Sequence, residues 1–197
     1  MTKVLILGAN GQIARVAINL FLKCPDLQLT LFLRRANRFQ ALPADRVQVI
    51  EGDVKDTKAL EVAMAGQDVV YANLDGALEE MAHGIVHSMQ ATGLKRLIFI
   101  SSMGIYDEIP GERHGAVLDP YRKAASVIEV SDLDYTILRP AWLNDKDEIA
   151  YDTTQKGEAF KAADKQVSRK SVADLVVRLA TTPGLEIRHS LGIHKAS

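Results

Sequence analysis

The chain has 197 residues, of which 47% are hydrophobic and 25% charged, as is usual for one globular domain with a full core. The formal net charge of −1 gives no general attraction to nucleic acid or to anionic membranes. The single cysteine, Cys24, excludes an internal disulfide and a cysteine-rich zinc site. Because Met1 leads directly into an apolar run, we expect no signal peptide and a cytoplasmic protein. We also expect the protein to be a monomer or a homodimer.

The segment Val4–Ala14 is an apolar strand that runs into a glycine turn and opens a helix. Gly8 allows a sharp turn, Gly11 leaves the backbone open to a pyrophosphate, and Ala14 is small enough for close packing on the strand. No Gly-Lys-Ser/Thr follows, which excludes a Walker-type loop. The pattern therefore predicts a dinucleotide phosphate site, whose members are Gly8, Asn10, Gly11, Gln12 and Ile13.

Strands and helices then alternate along the chain. The predicted strands are Gln28–Leu33, Arg46–Ile50, Asp68–Ala72, Arg96–Ile100, Tyr135–Leu138 and Glu186–Ile193. The predicted helices are one capped by Asp56 and ending at Gly66, an apolar stripe over Leu78–Met89 ending at Gly93, one over Pro120–Val130, and one opened by the capping box Ser171–Asp174.

This alternation predicts a single α/β domain over residues 1–197, a Rossmann-like, doubly wound parallel sheet. Ligands of such sheets bind at the carboxyl ends of the strands. Two stretches, 104–119 and 140–167, read as irregular and fall at the same edge. We expect them to form the walls of a pocket for a small-molecule substrate.

Two arginines, Arg34 and Arg35, end the second predicted strand. An NAD site usually carries an acid here for the ribose 2′-hydroxyl, whereas arginine fits a 2′-phosphate. The alternative is a solvated basic loop. Given the glycine turn upstream, we predict NADP(H) as the cofactor.

Asp53 and Val54 follow the third predicted strand. Asp53 could accept a hydrogen bond from the adenine amino group, with Val54 beside the ring. The alternative is that Asp53 only turns the chain.

Several segments together resemble atypical short-chain dehydrogenases/reductases of the NAD(P)-binding, NmrA-like kind. They are Leu7–Ala14, Glu51–Val54, Phe99–Tyr106, Leu133–Pro140 and Ser168–Asp174. The resemblance implies that Asn73 and Leu74 line the adenosine-ribose side and that Ser101 and Ser102 lie near the nicotinamide. It also implies that Lys123 holds the nicotinamide ribose and that Pro140, Ala141 and Trp142 flank the ring.

The chain departs from this superfamily at its catalytic pair, Tyr-x-x-x-Lys, in which the lysine lowers the pKa of the tyrosine. Here Lys123 follows Tyr121 by two residues and Ala125 stands at the i+4 position. On a regular helix Tyr121 and Lys123 point in different directions. We therefore expect Lys123 to keep a ribose contact, Tyr121 to be a doubtful acid, and Ser102 to be the polar group near an acceptor carbonyl. The alternative for Ser101 and Ser102 is hydrogen bonding to backbone at a strand end.

Two further features favour structural roles. Arg139, before Pro140, is expected in a buried salt bridge rather than at a substrate. His83 and His87 have the spacing of a metal pair, but Gly84 stands where a zinc protease has glutamate, so we expect an exposed helix face and no metal.

The leading function is reduction of a small carbonyl, quinone or similar acceptor by NADPH. A non-enzymatic NADP(H)-binding redox sensor is the alternative, favoured by the broken tyrosine–lysine pair. An epimerase or dehydratase that uses bound NAD is a third class, which Arg34 disfavours.

Overall fold

A computed structural model describes residues 1–38, 42–111 and 115–196. The strands are β1 Thr2–Leu7, β2 Leu27–Leu33, β3 Val47–Glu51, β4 Val69–Ala72, β5 Arg96–Ile100, β6 Asp134–Pro140, β7 Leu143–Asn144, β8 Tyr151–Gln155, β9 Val167–Ser168 and β10 His189–Lys195. The helices are α1 Gln12–Phe21, α2 Thr57–Met64, α3 Leu78–Thr92, α4 Asp119–Glu129 and α5 Arg169–Thr181. Short 3₁₀ turns cover Ala36–Arg38 and Ala116–Leu118.

The central sheet has eight strands in the order β3-β2-β1-β4-β5-β6-β10-β8. Every neighbouring pair is parallel except β10 and β8, which are antiparallel, and β7 pairs with β9 in a separate two-stranded sheet. One apolar layer packs α1 and α5 on one face of the sheet, and a second packs α2, α3 and α4 on the other. The predicted Rossmann-like α/β fold is confirmed, and its strand order reverses between β1 and β4.

Local signals fixed several boundaries as predicted. The Asp56 carboxylate accepts hydrogen bonds from the N–H groups of Lys58 and Ala59, both at 3.1 Å, and so begins α2. Gly93 ends α3 in the left-handed region, with φ 73°, which only glycine adopts without strain.

The capping box at Ser171 is wrong, because α5 begins one turn earlier. Ser168 is the N-cap, and its hydroxyl accepts from the N–H of Ser171 at 2.9 Å. The Ser171 side chain is buried and takes the N–H of Ala150 at 3.0 Å, so it joins α5 to the chain before β8. Asp174 binds the Tyr151 hydroxyl at 3.0 Å rather than closing a capping box.

The two stretches expected to be irregular are more ordered than predicted. Residues 140–167 contain β7, β8 and the first residue of β9, and β8 forms the outer edge of the main sheet. In the described part of 104–119, Ile105 and Ile109 are buried in the two apolar layers. The first half of this stretch is therefore packed into the fold rather than hanging over the sheet.

One ion pair explains that packing. Arg139 on β6 is fully buried, as predicted, and its guanidinium pairs with the Glu108 carboxylate, whose side chain is 5% exposed. Arg139 also donates to the Ser190 hydroxyl at 3.1 Å and to the Ser190 carbonyl at 3.2 Å. Because a buried guanidinium needs a counter-charge, the 104–111 segment is drawn onto the sheet.

Candidate cofactor site

A cavity of about 500 Å³ lies at the carboxyl ends of β1, β2, β3 and β4, beside the point where the strand order reverses. It is where dinucleotides bind in doubly wound sheets. Predicted residues that line it are Gly8, Asn10, Gly11, Arg34, Arg35, Asp53, Val54, Asn73 and Leu74. Sequence reasoning missed Phe32, Leu33, Gly52, Asp75 and Met81, which also line it.

The glycine turn after β1 has the geometry of a phosphate-binding turn. Gly8 has φ 73°, and the N–H of Gly11 donates to the Gly8 carbonyl at 2.9 Å. Gly11 is the N-cap of α1 and offers no capping side chain to the first turn of that helix. The first-turn N–H groups of α1 therefore have no capping side chain, and this end of the helix, next to the cavity-lining Gly11, suits an anion.

The other predicted residues of this turn contribute in different ways. The Asn10 carboxamide oxygen accepts from Arg15 Nε at 3.0 Å, which fixes the turn against α1. Gln12 is exposed, whereas Ile13 is buried in the core and 5% exposed. Neither Gln12 nor Ile13 lines the cavity.

Arg34 and Arg35 are exposed at the rim of the cavity, just after β2. Within the described part of the chain, neither guanidinium has an acidic partner. The neighbouring carboxylate of Glu51, on β3, instead accepts the N–H of Ala36 at 2.8 Å. Among the described residues, the cavity rim after β2 thus carries two cations that no carboxylate pairs with.

Asp53 and Val54 form the cavity wall after β3. Asp53 Oδ1 accepts from the N–H of Lys55 at 3.0 Å, and its carbonyl accepts from Asp56 at 2.9 Å. Asp53 therefore does turn the chain, which is the alternative to its predicted contact with adenine. Asp53 nevertheless lines the cavity, and Val54 is buried beside it with 7% exposure.

Two serines follow β5, farther along the same edge of the sheet. The N–H of Ser101 donates to the Leu138 carbonyl at 2.7 Å, while its buried hydroxyl has no hydrogen-bond partner in the described residues. The Ser102 hydroxyl donates to the Met103 carbonyl at 3.2 Å. The backbone role thus holds for Ser102, whereas the Ser101 hydroxyl is an unpaired buried donor.

The loop after Ser102 is held from two sides. The Glu108 carboxylate accepts the N–H groups of Gly104 at 3.0 Å and Tyr106 at 2.8 Å. From α4, Arg122 Nε donates to the Ile105 carbonyl at 3.0 Å. This part of the site is therefore rigid before any ligand binds.

Tyr121 and Lys123 point apart on α4, as the spacing predicts. Lys123 is exposed, and its Nζ lies 3.2 Å from the Glu79 carboxylate on α3. Tyr121 is half-buried, and its pKa is raised by burial and then by the nearby carboxylate of Asp75, which lines the cavity. Lys123 thus pairs with Glu79 on α3, whereas Tyr121 lies near Asp75 of the cavity wall; the ribose contact of Lys123 stays a prediction.

The chain beyond β6 is fixed through its backbone. Ala141, buried with 3% exposure, donates its N–H to the Ile193 carbonyl at 2.8 Å, and Trp142 accepts the N–H of Val167 at 2.8 Å. The Trp142 side chain is 62% exposed. Pro140, Ala141 and Trp142 do not line the cavity and stand farther along the edge, beyond the serines.

The histidine pair of α3 lies outside this site. His83 and His87 are exposed, and His87 Nε2 is 3.9 Å from the Glu61 carboxylate of α2. In the described ranges, no group of three His, Cys, Asp or Glu side chains could hold a metal ion. Among the helices of those ranges, none has both the length and the apolar character needed to cross a membrane.

Comparison with known proteins places the chain in a family. A model described as NAD(P)H-binding matches residues 8–183, so the chain belongs to the NAD(P)H-binding family. A Rossmann-fold NAD(P)-binding family protein from Shigella flexneri is 44% identical, with a TM-score of 0.89 over 99% of this chain and 94% of that one.

Two more distant proteins are also similar. A short-chain dehydrogenase/reductase from Veillonella parvula, solved in complex with NADP, is 29% identical, with a TM-score of 0.86 over 98% of this chain and 94% of that one. A Bacillus subtilis protein named an uncharacterized sugar epimerase is 25% identical over 165 residues, 73% of each chain. The resemblance to NAD(P)-binding short-chain dehydrogenases is therefore confirmed at the level of the family.

Proposed function

We propose that this member of the NAD(P)H-binding family is an NADP(H)-dependent oxidoreductase that reduces a small carbonyl, quinone or similar acceptor. The observation that carries the proposal is the pair Arg34 and Arg35, exposed at the cavity rim with no acidic partner in the described residues. A 2′-phosphate is the group that distinguishes NADP from NAD, and arginine recognises it through charge and forked donors. The similar protein from Veillonella parvula was solved with NADP.

The rest of the site fits a dinucleotide. The turn of Gly8 and Gly11 and the first turn of α1 suit the pyrophosphate, and Val54 offers an apolar wall for adenine. The unpaired buried hydroxyl of Ser101 lies farther along the edge, where the other half of the cofactor would extend. A cofactor atom that accepts from this hydroxyl would give it the partner that it lacks among the described residues.

The reacting end needs a hydride, which bound NADPH supplies, and a proton at the acceptor oxygen. We assign the hydrogen bonds that polarise this oxygen to the hydroxyls of Ser102 and Tyr121, and the proton that the reduced oxygen takes up comes from solvent. The Ser102 hydroxyl would exchange a single hydrogen bond, 3.2 Å to the Met103 carbonyl, for one to the acceptor. Tyr121 holds its proton firmly, because burial and Asp75 raise its pKa. The exposed ring of Trp142 offers a flat apolar surface to a planar acceptor such as a quinone.

The cofactor assignment is tested by titrating NADPH, NADP⁺, NADH and NAD⁺ while following the melting temperature and the dissociation constant. We expect the phosphorylated pair to bind more tightly. Arg34→Ala should weaken NADPH about tenfold to 100-fold, the scale of a hydrogen bond to a charged group, and leave NADH unchanged. Arg35→Ala is the matched variant. If only Arg35→Ala weakens NADPH selectively, the 2′-phosphate contact belongs to Arg35 instead of Arg34. If Arg34→Ala weakens NADPH and NADH equally, the role of Arg34 is structural.

A redox sensor that binds NADP(H) without turnover is the second candidate. The observation that favours it is the ion pair between Lys123 and Glu79, which leaves Tyr121 without the lysine of the usual catalytic pair. Steady-state NADPH oxidation with a panel of aldehydes, ketones and quinones separates the two. Turnover that falls in Ser102→Ala or Tyr121→Phe supports the reductase, whereas tight binding with no turnover supports the sensor. A preference for NAD would instead favour the epimerase class.

A further inference from the structure

Asn73 lies directly against the glycine turn. Its N–H donates to the Leu7 carbonyl at 3.0 Å and so extends the pairing of β4 with β1 by one residue. This places Asn73 beside Gly8 and Gly11, and all three residues line the same cavity.

The absence of side chains at both glycines makes room for Asn73. A Cβ atom added to Gly8 would lie 2.2 Å from the Asn73 carbonyl oxygen, and one added to Gly11 would lie 1.9 Å from Asn73 Nδ2. The second nearest atom to that Gly11 Cβ is Asn73 Cγ, at 3.0 Å. The carboxamide therefore occupies the position that a residue-11 side chain would take.

The same carboxamide is an open hydrogen-bond donor. Asn73 is half-buried, and no hydrogen bond within the described residues engages its side chain. It stands next to Gly11, the N-cap of α1, where the helix dipole and unpaired N–H groups favour an anion. An uncharged amide in this place adds one more donor and no competing charge.

We propose that Asn73 donates through Nδ2 to the pyrophosphate of the cofactor, and that Gly11 is glycine because this amide rests on it. The proposal rests on the proposed binding of NADP(H). It moves Asn73 from the adenosine-ribose side, which the family resemblance implies, to the phosphate bridge. Gly11 and Asn73 then act as one unit.

Ligand fragments separate the two positions of Asn73. We would measure dissociation constants for NADPH and for 2′-AMP, which carries the adenosine and the 2′-phosphate but no pyrophosphate. Asn73→Ala should weaken NADPH about tenfold to 100-fold and leave 2′-AMP within about twofold. Arg34→Ala should weaken both ligands, because its contact is to the 2′-phosphate. An equal loss of both ligands in Asn73→Ala, or no loss of either, overturns the proposal.

The contact with Gly11 can be tested without ligand. Gly11→Ala should lower the melting temperature of the wild-type protein, because the new methyl group displaces the Asn73 amide. The same substitution in an Asn73→Ala background should cost much less, since the amide is gone. Losses that add across the double-mutant cycle would show that the two residues are independent and would overturn the proposal. Because this cycle needs no cofactor, it separates failure of the proposed contact from failure of NADP(H) binding.

Discussion

Removing the Glu108 carboxylate should strongly destabilise the fold, because it is the buried counter-charge of Arg139. The guanidinium is fully buried and has one acidic partner among the described residues. Removing one partner of a buried ion pair lowers the free energy of unfolding by about 3–5 kcal/mol, because the remaining charge is left without compensation. In a domain of this size, each kcal/mol lowers the melting temperature by about 2–4 °C. Glu108→Ala should therefore lower it by about 6–20 °C.

The other contacts of Glu108 add to this loss. Its two oxygens also accept the N–H groups of Gly104 and Tyr106, which would become orphaned donors in Glu108→Ala. Glu108→Gln keeps an acceptor in place and should lose less. The experiment is thermal and urea unfolding of both variants beside the wild type.

Asp132→Asn provides the comparison, because it breaks an ion pair that is exposed to solvent rather than buried. Lys95 and Asp132 are 2.5 Å apart, with side chains 48% and 61% exposed, and an exposed pair contributes little. We expect Asp132→Asn to change the melting temperature far less than Glu108→Ala. If the two variants shift it equally, Arg139 is not the costly uncompensated charge that the geometry implies.

Three further perturbations have clear expected results. Tyr71→Phe removes a fully buried hydroxyl without a partner in the described residues, so it should raise stability by about 1 kcal/mol, about 2–4 °C in a melting experiment. Burial raises the pKa of Tyr71 above its ordinary 10.0. The stability that depends on its protonated form is therefore present below pH 10 and lost as the pH rises beyond it. Between pH 9 and about 11, Tyr71→Phe should lose less stability than the wild type. Gly52→Ala should destabilise, because the new Cβ would lie 2.4 Å from the Phe32 ring, whereas a Cβ at Gly115 meets no described residue within 4 Å, so Gly115→Ala is the control. Lys123→Ala should leave the NADPH dissociation constant within about twofold; a large loss would restore the ribose contact that the family implies.

The parts of the fold that local rules decide could be predicted from the sequence. Arg96–Ile100 ends in four consecutive apolar residues, and it is β5 with the same ends. Asp56 and Gly93 stand at helix ends, where their chemistry is specific. The glycine turn after β1 also locates the cavity, because a parallel sheet brings the ends of neighbouring strands to one edge.

The parts that long-range contacts decide could not be predicted. The edge strand β8, Tyr151–Gln155, is polar and has no apolar alternation, so pairing with β10 rather than its own pattern makes it a strand. Ser168 and Ser171 both fit an N-cap, and only the burial of Ser171 against Ala150 selects Ser168. The partner of Arg139, Glu108, lies 31 residues away in the chain, and no local pattern indicates it.

Helix α4 shows how this chain differs from enzymes with the Tyr-x-x-x-Lys pair. Its three successive residues Tyr121, Arg122 and Lys123 face three surroundings: the cavity side near Asp75, the loop after β5, and Glu79 on α3. The residue between the tyrosine and the lysine thus holds the loop that carries Ser102. A tyrosine without a neighbouring lysine keeps its proton, so it suits donation of a hydrogen bond better than rapid proton exchange. Polarisation of an acceptor would therefore depend on a rigid loop and two neutral hydroxyls. For the proposed reductase we therefore predict faster turnover of an acceptor that needs little activation, such as a quinone, than of an unactivated ketone.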